Sequence, residues 1–321
     1  MRYFANLPIM PNKSNPHQPH FTVQMTLSEF DALFPNEEAC RTYLFSRRWP
    51  NGVRCARCEN DHVYESKARP WHWQCKKCGK NNRASYRFAL TTGTIFEESK
   101  KPLLMWFKVL HLMVTSKKGI SALQIHRMLG TGSYQTAWYM CMRLRAGMKD
   151  PEFRQLMGIV EVDETFVGGK NINRHWKDRQ KYQGRGGPAS GKITVVGAIA
   201  RKGNLVCKIV ERTDTEALTG FVREVTKAHA TLVITDEWRG YDAISVYNRE
   251  HQFVRHTAGE YVRGNVHTQS IESFWSLLKR GIIGTYHNVS KKYLPLYLNE
   301  FQFRFNNRNE KDIFGKAIAG C

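Results

Sequence analysis

The chain has 321 residues, 41% of them hydrophobic, enough for two or three domains with their own cores. Its formal net charge of +21 divides into 24 basic and 11 acidic residues in 1–157 and 25 and 17 in 158–321, a balance that favours a polyanion, nucleic acid first, as partner. No 18-residue apolar run occurs, against a membrane span, and the start MRYFANLPIMPNKSNPHQPH lacks signal-peptide architecture, so a cytoplasmic, nucleoid-associated setting with reduced thiols is expected.

Residues 1–25, with Pro8, Pro11, Pro16 and Pro19, read as a mobile arm. From Met25 to Ser46 one or two short helices are expected, capped by Ser28 and Asn36 and burying Phe30, Leu33, Phe34, Tyr43 and Leu44. Cys55-x2-Cys58 and Cys75-x2-Cys78, separated by 16 residues, have the spacing of a four-thiolate site for one structural Zn2+, with WHWQ (71–74) as an intervening strand. Paired disulfides are the alternative in an oxidising compartment. Cys40, Cys141, Cys207 and Cys321 lack the spacing and read as core or incidental thiols. Lysines and arginines around the cluster, interleaved with Trp71, Trp73 and Tyr86, fit either a nucleic-acid contact or a purely structural ribbon.

Three helices follow, over 102–115, 121–130 and 133–148. The break at Gly130–Gly132 with Ser133 as a cap resembles the turn of a helix-turn-helix. In that arrangement Tyr134, Gln135, Thr136 and Arg143 face DNA, while Ala137, Met140 and Leu144 face the core.

From Ile159 short apolar strands alternate with helices. VEVDETFVGG (160–169) ends a strand at Asp163, and TLVITDEWRGY (231–241) ends another at Asp236. Between them lie a hairpin (192–201 and 205–212) and a helix (213–227), and 251–257 is a further strand. In HTQSIESFWSLLKRG (267–281), Ile271, Phe274, Trp275 and Leu278 recur at helical spacing and leave Glu272 and Lys279 together off the apolar stripe. Strand, hairpin, helix, strand, strand, helix is the order of a ribonuclease H-like domain. Two strand ends and a helix would then deliver three carboxylates to one point, the donor set that two Mg2+ (or Mn2+) ions require for phosphodiester chemistry. Lys279, about two turns along from Glu272, is placed to reach the phosphate backbone.

The segment 170–192 carries seven basic residues and one acid among glycines and reads as a DNA-gripping arm ordered on binding, with Lys177, Arg179 and Lys181 as its contacts. Trp238 stacks on a base or packs. Glu300, Arg304 and Arg308 share a helix face, as a surface ion-pair ladder or as DNA-phosphate contacts. His267 and His287 flank the helix of Glu272, and a core position is expected for His287.

From about Pro35 to Arg308 the chain resembles bacterial insertion-sequence transposases of the DDE type, in the zinc-ribbon branch that includes the ISXO group. VEVDETFVGGK, TDEWRGY, HTQSIESFWSLLKRGIIGTYHNVS and NEFQFRFNNR carry the resemblance, with separations of 73, 36 and 7 residues between Asp163, Asp236, Glu272 and Lys279. Gln269 stands where that family more often has asparagine. The resemblance implies catalytic roles for Asp163, Asp236 and Glu272, assisted by Lys279, and recognition of the element's terminal inverted repeats by the ribbon and helical segment. The expected architecture is multidomain α+β: arm 1–25, helical lead-in and zinc ribbon 26–98, helix-turn-helix-like segment 99–157, ribonuclease H-like α/β catalytic domain 158–310, tail 311–321. The expected activity is cleavage at the element's ends and transfer of the 3′ hydroxyl to target DNA, by a homo-oligomer in a synaptic complex. A hydrolytic nuclease or resolvase without strand transfer, and a non-catalytic DNA-binding regulator, are the alternatives.

Overall fold

Thr26 and Glu29 form a reciprocal capping box that starts α1 (Leu27–Leu33), and Asn36 Oδ1 accepts from Ala39 N to start α2 (Glu37–Arg48). Thr26 thus takes the capping role expected of Ser28, and Leu33 lies on the exposed side of its helix. The computed structural model describes residues 24–78, 85–149, 155–169, 175–179, 191–237, 239–241, 243–247, 250–254 and 266–321. Residues 1–23 of the expected arm 1–25, residues 170–174 and 180–190 of the expected DNA-gripping arm with Lys181 among them, and Trp238 therefore lie outside the described residues.

Strands β1 (Val63–Glu65), β2 (His72–Cys75) and β3 (Tyr86–Ala89) form a small antiparallel sheet in that order. Helices α3 (Leu103–Thr115), α4 (Ala122–Leu129) and α5 (Tyr134–Gly147) follow at the expected positions. Ser121 and Ser133 cap α4 and α5, and Gly130, at φ 60°, ends α4 in the left-handed conformation that glycine adopts without a Cβ penalty. Helix α3 has Pro102 at its N-cap and no side-chain cap of its own. Its first amides, Leu103 N and Leu104 N, donate instead to the Glu37 carboxylate of α2 at 2.9 and 3.0 Å, which fixes one helix on the other.

The second half is a five-stranded mixed sheet built from β4 (Leu156–Val167), β5 (Ile193–Ala200), β6 (Leu205–Val210), β7 (Thr226–Asp236) and β8 (Glu250–Val254) in the order β6-β5-β4-β7-β8. The short α6 (Trp176–Arg179) lies between β4 and β5, and α7 (Thr215–Val225) leads into β7, which begins five residues before the expected strand. β4 is antiparallel to β5 and parallel to β7, and β7 is parallel to β8. Helices α8 (Gln269–Gly281), α9 (Leu294–Asn306) and α10 (Ile313–Ala319) complete the chain. Alternation sorts β4 and β5 by face: Val160, Val162, Val196 and Ala198 pack under α7, whereas Val167, Val195 and Ile199 pack under α8 and α9.

Residues 311–321, expected to be a tail, contain α10, which belongs to the core of the first half. Phe314 packs against Phe30, Phe34 and Phe107, and Ile313, Ala317 and Ile318 are buried beside it. One core therefore runs from Phe30 through the ribbon and α3–α5 to α10, across the boundary expected near residue 98. The halves are also riveted together. Arg145 of α5 and Glu300 of α9, both buried, pair at 2.7 Å, and Tyr286 Oη donates to the same carboxylate. Gly119 explains the closeness of the α3–α4 loop, because a Cβ there would lie 1.9 Å from Tyr286 Oη. Among the described residues no helix is long and apolar enough to cross a membrane.

Candidate active site

Asp163 lies on the middle strand, opposite Gly197 of β5, and its side chain points to the α8 face. There its Oδ2 accepts a hydrogen bond from Trp275 Nε1 at 3.0 Å. The parallel ladder pairs Glu161 with Ile234, and two residues further along each strand are Asp163 and Asp236. Burial, Glu164 and Asp236, in that order, push the Asp163 carboxyl up to about 7. A group in that state is one that a cation would return to its ionised form.

Two features of this region were passed over in the sequence. Glu164 points to the opposite face, accepts from Tyr241 Oη at 2.7 Å, and is itself raised, chiefly by burial. It is a fourth acid here, signalled only by its place beside Asp163; β4 does not end at Asp163 as expected but runs on to Val167, because its ladder with β5 continues to Val167↔Ile193. Glu161 is fully buried and has a different task. Helix α8 has no side-chain cap from Thr268, and the Glu161 carboxylate takes its place by accepting from Ser270 N at 2.7 Å and Ile271 N at 3.1 Å. Arg201 Nε donates to the same carboxylate at 2.8 Å. The helix bearing Glu272 is thereby fixed to the strand bearing Asp163, two residues from the aspartate.

Gly197 completes this junction. A Cβ there would lie 2.7 Å from the Trp275 ring and 3.2 Å from Ile271, so only glycine lets α8 come this close to the sheet. Gly197→Ala is expected to destabilise the fold by about 1–3 kcal/mol through overpacking. It should also lower activity by displacing Trp275 from Asp163; unfolding in urea and a single-turnover cleavage assay would read the two effects.

Asp163, Glu272 and Lys279 line one cleft of about 770 Å³, together with Lys118 and Arg280. Glu272 Oε1 accepts from Thr268 Oγ1 at 2.7 Å. Asp163 and Glu272 line the cleft, Asp236 stands beside Asp163 on the neighbouring strand, and the three do not close on one point within 4.8 Å as the sequence suggested. Among the described residues, the four thiols are the only group of three or more such donors whose ligand atoms all lie within 4.8 Å of one another. Thr268 holds Glu272 on its own helix, and an oxygen-only donor set in which burial, before its acidic neighbours, raises Asp163 suits hard divalent cations.

The cysteine quartet is closed. Cys55 Sγ lies 3.7 Å from Cys78 Sγ, and Cys58 Sγ 3.8 Å from Cys75 Sγ, with all four within the reach of one tetrahedral ion. The thiols act on one another: hydrogen bonding between Cys58 and Cys78 lowers the one to about 7 and raises the other to about 12, so that one ionises ahead of its partner. Cys40, Cys141, Cys207 and Cys321 stand apart as free thiols, with burial raising each of them.

The remaining singled-out residues divide. Tyr134 and Gln135 are exposed on the first turn of α5, and Thr136 is half-buried, while Ala137, Met140 and Leu144 are buried as expected. Arg143 is held sideways, donating to Glu97 O at 3.2 Å and lying over the Trp106 and Tyr139 rings. Lys177 and Arg179 are exposed on α6 beside Trp176. Glu300 and Arg304 form no surface ladder: Glu300 is fully buried, and Arg304 is 9% exposed, donating to Ser116 O and Lys117 O. Arg304 is thus turned away from any phosphate, because the α3–α4 loop covers it. Arg308 lies over the Phe305 ring and donates to Phe305 O at 2.8 Å. His287, expected in the core, is exposed, and His267 is half-buried beside Glu161.

Comparison with known proteins gives two family matches: an ISXO2-like transposase domain over residues 155–306 and a transposase zinc-ribbon domain over residues 35–81. The chain is similar to an uncharacterized protein in transposable element ISH50 of Halobacterium salinarum, at 30% identity over 282 residues, 84% of this chain and 91% of that one. It is also similar to an uncharacterized transposase-like protein of Haemophilus influenzae, at 28% identity over 103 residues, 32% of this chain and 81% of the relative.

Proposed function

The chain belongs to the ISXO2-like family of insertion-sequence transposases, and from that premise we propose that it cuts DNA at the ends of its own element and joins the freed 3′ hydroxyl to target DNA. The observation that carries the reading is the cleft, where Asp163 beside Asp236, with Glu272 and Lys279 from α8, meets a cationic rim. The order β6-β5-β4-β7-β8, with two parallel pairs and an antiparallel hairpin edge, supports a ribonuclease H-like catalytic domain.

In this reading Asp163, Asp236 and Glu272 hold a pair of Mg2+ or Mn2+ ions. Such ions, when bound, activate the attacking oxygen and stabilise the leaving one. The protein's own part is placement. Trp275 orients Asp163, the Glu161 cap sets the height of Glu272 above β4, and Lys279 neutralises the backbone phosphate beside the bond to be broken. Tyr134 and Gln135 of α5 contact the terminal inverted repeat, and Lys177 and Arg179 contact the phosphate backbone. The four cysteines hold one structural Zn2+ that folds the ribbon. A homo-oligomer joins two ends in one synaptic complex.

The test is an assay with duplexes carrying the DNA that borders the coding region, a supercoiled target and Mg2+. Joined strand-transfer products are expected. Nicked ends without joining would instead establish a hydrolytic nuclease, and binding without cleavage a regulator.

A further inference from the structure

Ile283 is the most exposed large apolar side chain among the described residues, at 71%, and it lines the same cleft as Asp163 and Glu272. Its position is built. α8 does not stop at Gly281 but runs on into a single π-helical turn, Ile282–Tyr286. That turn closes at His287, whose φ of 60° and ψ of −48° let Asn288 N donate to Tyr286 O at 2.7 Å, a γ-turn of the rarer, strained hand. His287 Nδ1 lies 3.1 Å from Ile283 O, and Tyr286 Oη bonded to the buried Glu300 anchors the turn from beneath. π turns and strained turns are features that persist where a side chain has to be aimed.

Glu272, Ser276, Lys279 and Ile283 follow one another at i, i+4, i+7 and i+11 and all line the cleft, so the stripe of α8 that carries the acid runs on through the π turn to the isoleucine. Ile283 follows Lys279 by four residues, about one turn, so the apolar side chain stands next to a cation in the same cleft. Lys118, Lys279 and Arg280 border it. An apolar protein partner would have to bury those three cations, whereas a duplex offers phosphates to the cations and a base stack to the isoleucine.

We propose that Ile283 is a wedge that inserts between base pairs next to the phosphate held in the cleft and unstacks the duplex there. This rests on the reading of the cleft as a DNA-cutting site. Unstacking would free the strand to bend into a cleft whose Asp163 is recessed on the sheet, a use of apolar side chains that bent DNA complexes share.

The test uses the full-length protein and duplexes of the bordering DNA with 2-aminopurine at successive positions around the cleavage site, read before Mg2+ is added. Wild type is expected to raise the fluorescence at one or two adjacent positions, and Ile283→Ala to leave it flat. With Mg2+, Ile283→Ala is expected to cut paired duplex roughly tenfold more slowly and to regain most of the rate on a duplex already mismatched at that step. Because the side chain is exposed, the variant should melt at the wild-type temperature. Asp163→Asn is expected to keep the fluorescence rise and lose cleavage. A rise that survives Ile283→Ala, or cleavage by wild type with no rise, overturns the wedge and leaves the cutting reading intact. A rise that depends on Ile283 without cleavage keeps the wedge and removes the cutting reading.

Discussion

Asp163→Asn is expected to reduce end cleavage and strand transfer by at least about a thousandfold, the scale of losing a group that organises transition-state charge, while making the metal-free protein more stable. The two effects share one cause. In the folded chain the carboxyl is raised from 3.8 to about 7 by burial and by Glu164 and Asp236, so the folded state binds a proton between those values that the unfolded state has released. Stability therefore falls as pH rises from about 4 to 7 and stays lowered above 7. Asparagine keeps an acceptor for Trp275 Nε1 but carries no charge, so the variant lacks this slope. At pH 8 it should gain up to about 4 kcal/mol over wild type, and at pH 4 almost nothing. Mg2+ or Mn2+ should narrow the gap by stabilising only the wild-type carboxylate. Melting curves at the two pH values, with and without the ion, check this. A variant less stable than wild type at pH 8 would show that Asp163 holds the fold rather than straining it.

The sheet and its acids were legible because period-2 and period-3.6 patterns are local. TLVITD ends an apolar strand in its acid, VEVDETFV carries its acid within one, and the stripe of Ile271, Phe274, Trp275 and Leu278 predicts which face of α8 is buried. What escaped were interactions between distant residues. Glu161 looks like any acid at the start of a strand until the first turn of α8, more than a hundred residues away, is found to lack a cap of its own. Arg304 and Glu300 obey a surface spacing rule, yet α5 and the α3–α4 loop cover that face and turn the pair inward. α10 is short and carries a glycine and a lysine, and its place in the first core depends on an aromatic pocket formed by α1 and α3. The helical stripe is read only to Leu278, and a π turn beyond it cannot be told from a frayed helix end by pattern alone.

Removing zinc is expected to unfold the ribbon and destabilise the whole first core while leaving the five-stranded sheet folded. The ribbon's strands, Val63–Glu65, His72–Cys75 and Tyr86–Ala89, are three or four residues long, too short to hold a sheet without a staple. The ion would tie the 55–58 turn to the end of β2, where Cys55 and Cys75 are buried, and structural zinc contributes on the order of 10–16 kcal/mol in small zinc modules. Above the quartet Trp49, Trp73 and Phe88 pack ring on ring, and through Leu44 and Cys40 of α2 that cluster is continuous with α3, α5 and α10. Loss of the ion should therefore travel into the helices bearing Tyr134 and Gln135 and weaken DNA binding without any change at a DNA-facing residue. The sheet has separate cores under α7 and under α8 and α9, so its melting transition should persist. Near-ultraviolet circular dichroism of the tryptophans, amide exchange and zinc content would follow the change on chelation and in Cys75→Ser. About one zinc per chain, early loss of protection in 49–90 and 103–147, and retained protection in 193–236 are expected. A chelated protein with an unaltered tryptophan spectrum and unaltered affinity would mean that hydrophobic packing alone holds the ribbon.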